Sequence, residues 1–153
     1  MAARPLTSGV FASIFTPVGA AVNVAAPAML EAMGKATETR AKENLSRRSH
    51  AWGTPTPASP GGPPAKISGT LHDAVHAEEP HMAAGGWQVR VGVLPGRTPP
   101  YGKTEAAEYG EYLETGETRN GEAYPWLQPA FDDVAHNGTF RSARYLTGAI
   151  GRL

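Results

Sequence analysis

Thirteen residues near the middle of the chain, WGTPTPASPGGPP (Trp52–Pro64), hold five prolines and three glycines. Proline has no amide hydrogen to donate and a fixed φ, and glycine gives up the most backbone entropy on ordering. Such a stretch cannot form the interior of a helix or a central strand, so it predicts an extended loop. Loops of this length without secondary structure are usually functional or flexible. The loop also divides the chain into two segments of different pattern.

Before the loop the pattern is helical. Leu30, Met33, Thr37, Ala41 and Leu45 recur at helical spacing, and Glu31–Lys35 and Glu38–Lys42 are i,i+4 ion pairs. Pro27 suits a first helical position, so a helix is predicted over about 28–49, with Arg47-Arg48 compensating its dipole. After the loop the period changes. TLHDAVHAEE (Thr70–Glu79) reads as a strand, or as a helical turn feeding one. WQVRVGVL (Trp87–Leu94) alternates as a strand with Trp87, Val89, Val91 and Val93 on one face, and Pro80–Gly86 would be the hairpin loop between the two. A helix is predicted over Thr104–Thr115, capped by Thr104, with Ala106, Tyr109, Tyr112 and Leu113 on its apolar face. A second starts at Tyr124-Pro125 with Leu127, Ala130, Phe131 and Val134 inward, and ends at Asn137-Gly138. Thr139 would cap a last helix, Phe140–Ile150. The fold class this predicts is α+β: a small antiparallel sheet packed against two or three helices.

At 153 residues the chain has the length of one domain. Residues 1–26 form an extended apolar arm in this reading and residues 27–153 the domain, ending in a basic helix or tail over 139–153. The arm's GVFASIFTPVGAAVNVAAPA loosely resembles a secretory signal, but Pro17, Gly19 and Asn23 interrupt it, and it is too broken to span a membrane. An apolar arm orders only when tied down, and a partner surface is the simplest anchor. With 14 basic and 14 acidic residues the chain has no net charge, so nothing global suggests nucleic-acid binding. Cysteine is absent, which removes disulfides, thiolate metal sites and cysteine nucleophiles together.

Motifs of catalysis fit poorly. GRTPPYGKT (Gly96–Thr104) ends like a phosphate loop, but its glycine spacing is one residue too long and two of its residues are prolines without N–H donors. HDAVH (His72–His76) has two histidines four apart around Asp73, with Glu78, Glu79 and His81 as candidate third ligands. On a long helix that spacing would chelate zinc, and a small metal-dependent hydrolase using His72 and His76 is the reading from another class. The flanking residues favour a strand instead. No serine lies in a nucleophile-elbow context, and no cofactor is implied. Asn44-Leu45-Ser46 and Asn137-Gly138-Thr139 match the glycosylation sequon, a pattern common by chance.

The stretch YGEYLETGETRNGEAYPWLQPAFDD (Tyr109–Asp133) concentrates tyrosines, glutamates and a proline-bracketed tryptophan. Glu105, Glu108, Glu111, Glu114 and Glu117 step by threes, with Glu122 five further on, around much of a helix surface rather than toward one point. The order of pieces is the more specific signal. Ser68-Gly69-Thr70-Leu71 after the proline-rich loop, the tyrosine segment Tyr109–Gly116, and Pro125-Trp126-Leu127-Gln128-Pro129-Ala130 together resemble the tail-completion (neck, head–tail joining) proteins of long-tailed, siphovirus-type phages. The resemblance covers roughly Pro27–Val134; the arm, the insert GRTPPYGKTEA and the basic tail depart from it.

That resemblance implies a virion component without enzymatic activity, assembled in the host cytoplasm as a ring of six copies between the head connector and the tail tube. Its partners would be itself, the head-connector protein and the tail terminator or tail-tube protein. A tail terminator capping the tube is the neighbouring alternative. No membrane and no sequence-specific nucleic acid is implied, although DNA can pass through the ring. Tyrosine and tryptophan suit such interfaces because they bring large apolar area with a polar handle. The candidate interface residues are Phe11 and Phe15 of the arm, Trp52 of the loop, Tyr109, Tyr112, Tyr124 and Trp126, and Arg141 and Arg144 of the tail. Part of the cluster must still be ordinary core, because residues such as Tyr112, Leu113, Leu127 and Phe131 are more often core than contact.

Overall fold

The computed structural model describes residues 11–12, 19–84 and 86–137. Within them one long helix, α1 (Gly19–Ser46), lies against a bent two-stranded ribbon, and three shorter helices complete the core. The elements in order are β1 (Phe11–Ala12), α1, α2 (Thr70–Ala74), β2 (Val75–Ala77), β3 (His81–Ala83), β4 (Gly86–Val89), β5 (Val91–Val93), α3 (Ala106–Thr115) and α4 over residues 128–137. The class is α+β, with every strand pairing antiparallel. No helix among the described residues is long and apolar enough to cross a membrane.

α1 forms for the reason its spacing predicts. Ala26, Met29, Leu30, Gly34, Thr37, Ala41, Asn44 and Leu45 are buried along one stripe; of the two i,i+4 pairs, Glu31–Lys35 is on the outer side and Glu38–Lys42 is partly buried at the edge facing β2. Its limits differ from expectation. The helix begins at Gly19, so Pro27 lies inside it rather than at its start, and residues 19–26 of the expected arm are helical. An internal proline costs about 3 kcal/mol, which burial of the flanking Ala26, Met29 and Leu30 offsets. The helix stops at Ser46, so Arg47 and Arg48 lie beyond its last turn, and Arg48 instead donates to the Pro57 carbonyl of the loop.

The sheet is one hairpin folded in two. β2 pairs with β5 (Val75↔Val93, Ala77↔Val91) and β3 pairs with β4 (His81↔Gln88, Ala83↔Gly86), with the register shifted by one residue between the two halves. One extra residue on the first arm is a β-bulge, and it sits at Glu78–Pro80, where Glu78 N–H still reaches the Arg90 carbonyl at 2.8 Å. The expected single strand Trp87–Leu94 is therefore split at Arg90, and the expected loop Pro80–Gly86 contains β3. Thr70–Glu79 resolves into a helical turn feeding a strand. β1 adds to β4 through Phe11↔Val89 and Ala12↔Gln88.

Two apolar clusters result. The main core joins Ala41 and Leu45 of α1, Leu71 and Ala74 of α2, Val75, Val91 and Val93 of the ribbon, Ala106 and Ala107 of α3, and Trp126, Leu127 and Ala130. A smaller one joins Leu30 and Val89 with half-buried Met33, Trp87, Phe131 and Val134. Gly34 marks the closest approach of α1 to the sheet, since a Cβ there would stand 2.8 Å from a Val89 methyl.

The second half of the aromatic and acidic stretch is internal architecture. α4 starts at residue 128, later than Tyr124-Pro125, and its first amides have no intrahelical partners. Glu114 supplies them from α3: Oε2 accepts from Trp126 N–H at 2.9 Å and Leu127 N–H at 3.0 Å, and Oε1 from Gln128 N–H at 2.8 Å. Trp126 is fully buried with its remaining polar groups met, its indole N–H donating to the Gly110 carbonyl at 3.1 Å and its carbonyl accepting from Asn44 at 3.0 Å. Arg40 of α1 also pairs with Asp133 of α4 at 2.8 Å.

Candidate functional site

The proline-rich loop is a strap, tied at both ends. At its base Ser49 and Lys66 bridge in parallel, His50 N–H donating to the Lys66 carbonyl at 3.0 Å and Lys66 N–H to that of Arg48 at 2.8 Å. Further along, Gly61, at φ 78°, donates to the Ala123 carbonyl at 2.9 Å. Beneath the strap runs a groove of about 540 Å³. Its volume is in the range of sites that hold a drug-sized molecule or a short peptide segment.

Apolar side chains from four places converge on this groove. Leu45 ends α1, Leu71 opens α2, Tyr109 and Leu113 come from α3, and Tyr124 precedes α4. The local sequence explains the gathering. Gly69, at φ 85°, takes the left-handed conformation that turns the chain from the strap into α2 and brings Leu71 inward. α3 closes on Gly116, also left-handed, whose N–H caps the Tyr112 carbonyl at 3.0 Å, and the chain turns back to place Tyr124 beside Leu113. Tyr124 N–H then donates to the Leu113 carbonyl at 2.6 Å.

The lip is aromatic and exposed. Trp52 of the strap stacks on Tyr101 with ring centroids 5.7 Å apart and planes 15° from parallel, and the two remain 60% and 55% accessible. Ile67 beside them is also exposed. Lys66 and Arg119 line the groove, and neither makes an ion pair among the described residues. Among the described residues no carboxylate lines it. Asp73 and Glu122 stand nearby with partners of their own, His72 holding Asp73 at 2.6 Å and Asn120 and Tyr124 holding Glu122. Tyr109 is pushed up to about 12 by burial, which a backbone hydrogen bond from Leu71 only partly opposes, so its phenol stays neutral.

The residues singled out by sequence divide sharply. Trp52 and Tyr109 are in the groove. Trp126 is fully buried in the core, and Tyr124, also buried, lines the groove beside Leu113. Large aromatic area is as useful to a core as to an interface, and composition alone does not separate the two. Tyr112 is half-buried and donates to Glu108, which raises its phenol above the ordinary value. Phe11 enters β1, and Phe15, Arg141, Arg144 and the predicted helix Phe140–Ile150 lie outside the described residues.

The chemical motifs resolve in the same way. HDAVH does not form one helix, because α2 ends at Ala74 and His76 stands exposed on β2, so the i,i+4 geometry for a shared metal is not made. Among the described residues no three His, Asp or Glu side chains gather as a metal site. In the Gly96–Thr104 loop the Gly96 N–H faces the Glu105 carboxylate at 3.2 Å, an arrangement opposite to a phosphate cradle. Glu105 rather than Thr104 precedes α3, and the first helical amide, Ala106 N–H, donates to the Arg97 carbonyl at 2.6 Å. Asn44 of the first sequon is buried and bonded to Trp126. Two groove residues escaped sequence reading: Tyr101 in PPYG and Ile67 after the strap, each a lone apolar residue among turn formers with no period to mark it. No family model matches the chain, and neither does any curated protein or solved structure.

Proposed function

We propose that the chain is a structural virion subunit of the tail-completion type, which assembles with copies of itself into a ring at a phage head–tail junction. The observation that carries this reading is the strap-covered groove with its exposed Trp52–Tyr101 lip, an apolar and aromatic surface built for contact with another chain. The motif steps that carry the family resemblance lend support, because they meet in three dimensions. Leu71, Trp126, Leu127 and Ala130 belong to one core with Tyr109 and Leu113 packed on it, so the Ser-Gly-Thr-Leu step, the tyrosine helix and the Pro-Trp-Leu step pack as a unit. A groove fixed by that core gives a rigid docking face, and rigidity lowers the entropic cost of association.

Electron microscopy of the purified full chain tests the proposal. Annular particles with an open channel are expected. A field of compact particles without a channel, at concentrations where association is complete, would contradict it.

A further inference from the structure

The groove lies at one end of the ribbon and the bulge midway along it, and their chemistry is complementary. β2 leaves directly from α2, which lines the groove through Leu71 and His72, and β5 runs back into the loop that carries Tyr101. The ribbon then extends away from this end, from the Val75–Val93 pair to the Ala83–Gly86 pair, a reach of at most about 26 Å at ~3.3 Å per residue. Its middle carries Glu78 and Glu79 at the bulge, both exposed, and its outer half carries Met82, 59% accessible. Neither glutamate makes an ion pair among the described residues.

The groove offers the counterpart of each feature. Its apolar floor and aromatic lip suit a thioether, which makes favourable contacts with ring edges. Its Lys66 and Arg119, unpaired and with no carboxylate lining the site among the described residues, suit an acidic pair. Building on the reading of a self-assembling subunit, we infer that the Glu78–Met82 segment of one copy docks in the strap-covered groove of the next. The two surfaces are different patches of the same chain, so the contact is heterologous and repeats head to tail. Such a contact closes into a ring when the rotation per copy divides the circle, and runs on as a filament otherwise. Charge complementarity fixes the register of each joint and disfavours groove-to-groove pairing, which would juxtapose like charges.

Reversing the charges separately on each surface tests the inference. One variant carries Glu78→Lys with Glu79→Lys, and the other carries Lys66→Glu with Arg119→Glu. All four positions are outside the core, and far-ultraviolet circular dichroism with a thermal melt confirms that each variant is folded. Sedimentation velocity should show that each variant alone has lost the multimer that the unaltered chain forms. An equimolar mixture should recover it, because every joint then pairs unlike charges again. Multimers that persist in both variants overturn this contact while leaving self-assembly standing. Loss of the multimer without recovery in the mixture overturns the pairing of these two surfaces. An unaltered chain that stays monomeric across the concentration series overturns the assembly reading itself.

Discussion

Glu114 and Trp126 hold the second half of the molecule together through groups that packing alone would leave unmet. Replacing Glu114 by Ala frees three consecutive amides at the approach to α4, two of them on fully buried residues. The expected loss is about 2 kcal/mol or more in a denaturant titration, with Glu114→Gln recovering part because one carboxamide oxygen still accepts. An unchanged midpoint for the alanine variant would show that water replaces the carboxylate. Glu38 works differently. Burial alone would raise its carboxyl, but hydrogen bonds from Lys42 at 2.5 Å and Ala77 N–H at 2.9 Å outweigh that and hold it below the usual 4.5 of a glutamate. A depressed folded-state value stabilises the fold above about pH 4.5 and ceases to do so as pH falls through the lower folded value. Glu38→Gln should therefore be destabilised by about 1 kcal/mol at neutral pH, with the gap to the unaltered protein closing in acid. A gap that stays constant from pH 7 to pH 3 would place the effect in packing rather than charge.

Elements show where local pattern suffices and where it fails. Gly34 illustrates the conflict directly. Alanine there gains about 1 kcal/mol of helix propensity but drives a methyl against Val89 and Ala77, where overpacking costs about 1–3 kcal/mol. Gly34→Ala should thus lower the melting temperature, and a rise would mean that α1 and the ribbon separate more easily than their packing suggests. α1's buried stripe was legible because helical periodicity is a property of neighbouring residues. The ribbon's break at Arg90 was not, because Val89, Val91 and Val93 keep their alternation through it and all three are buried. The bulge responsible is set by pairing across the hairpin, which single-strand periodicity does not encode. The same holds for Glu114, whose capping role exists only after the Gly116 turn brings it to Trp126. Of the groove, sequence showed the strap and Trp52 but not the Tyr101 stack, since two loops distant in the chain meet there.

At the scale of the whole molecule, the fold concentrates its rigidity around one end of the ribbon and leaves that end's surface apolar. The main core draws on α1, α2, α3 and the residues leading into α4, and the groove lies directly over it beneath the strap. In the proposed assembly, an apolar, cation-edged groove at one end of the ribbon and an acidic bulge followed by Met82 further along it would give each copy a direction, and directed copies build closed rings or open chains. The most direct test is native mass spectrometry of the purified full chain. A single dominant species at six times the 16.1 kDa chain mass is expected, and a monomer persisting at every concentration measured would contradict ring assembly.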